Sequence, residues 1–110
     1  MSDMEEQVTL VRIALSETDH GRRRHLMEDI LTRLRDDFDL DGVSVFRGIA
    51  GMNGQKIIHA ADLLHFDVDL PLMIEFCCAP DTAISVIDSL ADLVPDGHII
   101  SWPATRHRRA

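Results

Sequence analysis

From Arg22 to about Asp37 and on to Phe38, the apolar residues Leu26, Ile30, Leu34 and Phe38 recur every four, with Met27 and Leu31 beside them. Side chains at that spacing share one face of a 3.6-residue helix, so the segment reads as amphipathic with a single apolar stripe. A one-sided helix must bury its stripe against another layer, so the rest of the chain has to supply a cover. On the wet side Asp29, Arg33 and Asp37 alternate in sign four residues apart, which supports the helix further.

The cover is read from four strand-like runs. Residues 8–15 carry Val11, Ile13 and Leu15 on one side and Val8, Leu10, Arg12 and Ala14 on the other. After Asp41-Gly42 a second strand is expected over 43–49, rich in β-branched and aromatic residues. A third spans 70–78, where Leu72, Ile74 and Phe76 alternate with Met73, Glu75 and Cys77. Pro71 sits at its entry, where a missing N–H donor is tolerated. A second helix starts at Pro80 or Asp81, carries Ala83, Ile84, Ile87, Leu90, Ala91 and Val94, and stops at Pro95-Asp96-Gly97. A last strand over 98–102 closes the domain.

The order β-α-β-β-α-β predicts an α+β fold, a ferredoxin-like sandwich with a four-stranded antiparallel sheet and two helices on one face. In that topology the third strand lies between the first and second. Arg12, Glu75 and Arg47 are then expected in a row across the uncovered face, with Val8, Leu10, Val43, Val45 and Met73 around them. A largely apolar face that its own helices leave bare is usually buried on another subunit, so a homo-oligomer is expected.

The 110 residues suffice for one core and not two. The expected organisation is a flexible N-terminus over 1–7, a folded domain over 8–103 and a basic disordered tail over 104–110, which holds Arg106, His107, Arg108 and Arg109. A net charge of −8 argues against nucleic acid as a partner. No apolar run approaches the roughly 20 residues that span a bilayer, and residues 1–6 are acidic rather than signal-like. Cys77 and Cys78 alternate along a strand and so point to opposite faces. They read as reduced thiols of a cytoplasmic protein.

Between the second and third strands run 19 residues, 51–69, where a hairpin needs about two to five. The connection opens on glycine: Arg47-Gly48-Ile49-Ala50-Gly51-Met52-Asn53-Gly54, followed by Lys56 and Ile58-His59. Glycines let backbone N–H groups converge and let a ligand approach the main chain, which suits an anion such as phosphate. The spacing matches neither the dinucleotide fingerprint nor the P-loop. Arg47 and Lys56 flank the loop as cations, although Arg47 could equally balance Glu75 across the strands. His59 could stack on a base or donate to phosphate, or could simply hold the loop. Arg22, Arg23 and Arg24 oppose the macrodipole in the first turn of a helix, a conflict that a bound anion or solvation would relieve. His59, Asp62 and His65 fit no zinc pattern, and no nucleophile elbow or Cys-His signature is present.

Arg47-Gly48-Ile49-Ala50-Gly51, then Ile58-His59-Ala60-Ala61-Asp62-Leu63-Leu64, then Asp69-Leu70-Pro71-Leu72-Met73-Ile74-Glu75 together resemble a PII-like family of unknown function, the domain of unknown function 190. The resemblance runs from Val11-Arg12-Ile13 to the last strand. It implies a ferredoxin-like domain assembling as a PII-like homotrimer, with a long loop like the T-loop of PII signalling proteins. It also implies an inter-subunit cleft for an adenine nucleotide such as AMP, ADP or ATP, with no other cofactor and no metal. The candidate nucleotide-binding residues are Arg47, Gly48, Gly51, Met52, Asn53, Gly54, Lys56, His59 and Arg22. Relatives often carry Phe-Gly after the Ala-Gly pair, whereas this chain has Met52-Asn53.

Three functions remain distinct at this stage. The first is a non-enzymatic regulator that engages a membrane transporter or enzyme through the 51–69 loop. The second is a ligand-free oligomeric adaptor in which the glycines only make a turn. The third is a small enzyme on the same fold, which hosts unrelated activities.

Overall fold

The computed structural model of the chain describes residues 3–16, 22–52, 54, 56–60 and 70–109. In chain order the elements are β1 (Asp3–Ser16), α1 (Arg22–Asp37), β2 (Ser44–Arg47), β3 (Ala50–Met52), β4 (Ile58–Ala60), β5 (Pro71–Cys78), α2 (Pro80–Leu90) and β6 (Ile99–Arg109). A four-stranded sheet runs β2-β5-β1-β6, with antiparallel neighbours throughout. The third long strand thus lies between the first and second, as the topology required.

One face of the sheet carries the core. Val11, Ile13 and Leu15 of β1 meet Ile74 and Phe76 of β5, and Ile30 and Leu34 of α1 pack on them together with Ala83, Val86 and Leu90 of α2. The stripe spaced by four is therefore the buried face of α1. Pro80 opens α2, where its missing N–H has no partner to lose, and Asp81 faces the positive end of the helix dipole. The second helix ends at Leu90, earlier than its apolar spacing predicts; Val94 is buried from the turn that follows, while Ile84 is 62% exposed. Gly97 takes a φ of 81°, a left-handed turn before β6 that favours glycine. Arg33 ties the helices together by donating to the Ser89 carbonyl and to Asp92, each at 2.6 Å.

The termini depart from expectation. Asp3–Gln7 extends β1, and Thr105–Arg109 extends β6 alongside it, so both strands run past the 8–103 bounds. Asp3 pairs with Arg109, Glu5 with His107 and Glu6 with Arg106. An acidic strand lies against a basic one, and cross-strand attraction supports a ribbon whose side chains lack apolar alternation. Arg108 Nε donates to Glu6 at 2.7 Å, and Arg106 Nη1 donates to Asp41 at 2.6 Å, tying the ribbon to the segment before β2. The Arg108 hydrogen bond holds the Glu6 carboxyl below its ordinary value.

The second strand departs in its facing. β2 covers only Ser44–Arg47, with Ser44 opposite Glu75, Val45 opposite Ile74 and Arg47 opposite Leu72. Val45 and Arg47 therefore lie on the helix side of the sheet, and Arg47 is not in the row of Arg12 and Glu75. Val43, immediately before the strand, packs against the core, and alternation from that anchor inverts the face expected for the residues after it.

Candidate functional site

The connection that leaves β2 is not irregular over its first half. Ala50–Met52 and Ile58–Ala60 form a two-stranded antiparallel hairpin in which Ala50 pairs with Ala60, Gly51 with His59 and Met52 with Ile58. Its far half, residues 61–69, lies outside the described residues, and with it Asp62 and His65 of the trio considered for a metal.

Pro71 seats this hairpin on the sheet. Gly48 N–H donates to the Pro71 carbonyl at 2.7 Å. A Cβ at Gly48 would overlap Pro71 Cγ, and one at Gly51 would stand 3.0 Å from Pro71 Cδ. Gly48 is thus required by a ring packed against the backbone, at Gly51 that ring leaves little room for a Cβ, and Gly54 has open space around it. The glycine pattern that reads as a ligand loop is in two of its three positions a proline seat. The signal lay in Leu70-Pro71, which taken as a strand entry gave no hint that the ring also supports the residues after β2.

Arg47, Gly48, Gly51, Met52, Gly54 and Lys56 lie within one short stretch of the chain, of which Gly48 and Gly51 touch Pro71, and Arg47 and Lys56 are exposed. His59 is the middle residue of β4, and Arg22 opens α1, a separate element. Asn53 is outside the described residues. Lys56 adopts a φ of 65°, the left-handed region, which is unfavourable by roughly 1–2 kcal/mol for a residue with a side chain. Such local strain concentrates at ligand clamps and switch segments. The hairpin is also apolar where it faces outward: Met52 is 62% and Ile58 75% exposed, on paired positions of one face.

The remaining chemistry is sparse. Among the described residues no polar or charged side chain is buried, and no cluster of His, Cys, Asp or Glu could hold a metal. Cys77 opposes Leu10 on the open face, and Cys78 opposes Thr9 on the helix side, so the two thiols are divided by the sheet. Burial pushes the Cys78 thiol up, away from the reactive thiolate. A cleft of about 310 Å³ lies between the end of α1 and the segment before β2, against Leu31, Leu34, Phe38, Leu40 and Val43. None of the candidate residues lines it. No helix of the described residues is long and apolar enough to cross a membrane.

The fold has known counterparts. CPII from Thiomonas intermedia K12, solved with ADP and bicarbonate, superposes with a TM-score of 0.57 at 13% identity, covering 94% of this chain and 90% of that one. The same protein, a nitrogen regulatory PII-like protein solved with ADP, AMP and bicarbonate, gives 0.56 at 11% identity over 96% and 99% of the two chains. A candidate PII-like signalling protein from Thermus thermophilus gives 0.53 at 13% identity over 94% and 90%. At these identities the likeness is one of fold. The sequence itself supplies the family: residues 8–106 match the model of DUF190, described as an uncharacterized ACR, and the chain belongs to that family.

Proposed function

We propose that this protein is a non-enzymatic PII-like regulator: a cytoplasmic homotrimer that binds a small adenine nucleotide in its inter-subunit clefts and engages a membrane transporter or enzyme through the connection over 51–69. The observation that carries the reading is the hairpin on the Pro71 seat with the exposed cations Arg47 before it and Lys56 in its connection, in a chain of the DUF190 family whose fold relative CPII is solved with ADP. The anion would meet Arg47, Lys56 and the main chain around Gly54, while Gly48 and Gly51 hold the loop base in place. Arg22, Met52, Asn53 and His59 complete the proposed site.

Binding orders the hairpin, and a ligand that favours one loop state shifts the population available to a partner. Hydrogen exchange of residues 47–60 is expected to slow in saturating ADP. Identical exchange with and without ADP would exclude the switching step.

A second reading has its own support. Because Pro71 alone accounts for Gly48 and Gly51, the hairpin could serve a ligand-free adaptor, with Met52 and Ile58 as its contact surface.

A further inference from the structure

Where β2, β5, β1 and β6 lie side by side, the face of the sheet opposite the helices is apolar except at its centre, and only beyond it, in the terminal ribbon, does the same face turn charged with Glu6 and Arg106. Register places Ser44, Glu75, Arg12 and Ile100 in one row across the four strands. On one side of that row stand Phe46, Met73 and Ala14, and on the other Cys77, Leu10 and Trp102. Arg12 Nη2 donates to Glu75 Oε2 at 3.1 Å, and the guanidinium lies over the Trp102 ring, 5.2 Å from its centroid. Arg12 Nε is sealed from solvent with no acceptor among the described residues. Phe46 and Trp102, one in each apolar row, are 54% and 36% exposed, so both rows are open to a partner.

We propose that a second copy of this chain covers this face and that the Arg12–Glu75 pair fixes which arrangement of copies forms. The inference rests on the trimer reading above and adds the element that would select it. Apolar rows attract without direction, so by themselves they permit several rotations and stoichiometries. An ion pair does not, because an arrangement that seals the Arg12–Glu75 pair beneath an apolar row takes both charges out of water and leaves Arg12 Nε without an acceptor. Charge complementarity identifies the occupant. The centre of the face carries one charge of each sign and so complements itself, whereas a partner of single sign would leave one of the two opposed. A covering copy can also present an acceptor to Arg12 Nε. A polar residue in an apolar seam sets register and oligomer number in the same way in coiled coils.

The test is native mass spectrometry with sedimentation over a concentration series. Wild type is expected as a single trimeric species. R12M/E75M is expected to stay associated but to spread over at least two stoichiometries, because the apolar attraction remains and the selector is gone. R12E, which sets two carboxylates side by side, is expected to weaken association at least ten-fold. The exchange variant R12E/E75R, which keeps one charge of each sign, is expected to restore the single species, and it decides the matter if R12M/E75M does not fold. A single trimer for R12M/E75M, or failure of R12E/E75R to recover the wild-type species lost in R12E, would overturn the role of the pair while leaving the trimer intact. A monomeric wild type would overturn the trimer reading and this inference with it.

Discussion

Ile74→Ala is expected to lower the free energy of unfolding by about 2–5 kcal/mol. Ile74 sits in β5 between Ile13 of β1 and Val45 of β2, is fully buried, and belongs to the cluster that both helices cover. Removing its outer carbons leaves a cavity at the point where three strands and two helices meet, and such a site cannot collapse without moving several elements. Small domains are stable by about 5–15 kcal/mol, so the loss is a large share of the total. A thermal midpoint lower by roughly 8–20 °C is the expected readout. Ile84→Ala, at a helix position 62% exposed, is the control and is expected to stay within about 0.5 kcal/mol. Equal losses for the two would mean that the core is not where the apolar periodicity and the sheet register place it.

Gly48→Ala is the second large effect, and its origin is steric. The added methyl group would occupy the space of the Pro71 ring, which is fixed and cannot rotate aside as a long side chain could. Overpacking of this kind costs about 1–3 kcal/mol. Relief requires Gly48 to move away, which also lengthens its 2.7 Å hydrogen bond to the Pro71 carbonyl. The loss is therefore expected in the hairpin first: amide exchange of Ala50–Met52 and Ile58–Ala60 accelerates, with a smaller decline in the global melt. Gly54→Ala, where the added carbon meets open space, is expected to leave both unchanged. Indistinguishable behaviour of the two variants would remove Pro71 as the seat of the loop.

How far the sequence foretold this structure depended on how local each signal was. α1 was legible because Leu26, Ile30 and Leu34 repeat within one helix, with Phe38 next after its end, and the pattern needs nothing from elsewhere. The strand order followed from topology, and the opposition of Arg12 and Glu75 followed from alternation along two long strands. β2 was misread because it is a short edge strand with large apolar residues on both parities, Val45 on one and Phe46 on the other. Its facing is set by Val43, outside the strand. The terminal ribbon was invisible for a different reason. Its residues are polar, and what holds them is a partner about 100 positions away, Glu6 with Arg106 and Arg108, which no local window contains. At the candidate site the residue types were legible but their reasons were not. Gly48 and Gly51 announce close approach without saying that Pro71, rather than a ligand, is what approaches.

The reading as a nucleotide sensor is tested most directly by calorimetric titration of the purified protein with ATP, ADP, AMP and cyclic AMP, its mass in solution measured alongside and Arg47→Ala as the comparison. A trimer that takes up at least one of these ligands saturably at about one per subunit is expected, with binding at least ten-fold weaker in Arg47→Ala. A trimer that binds none of them would contradict it and leave the hairpin as the contact surface of an adaptor.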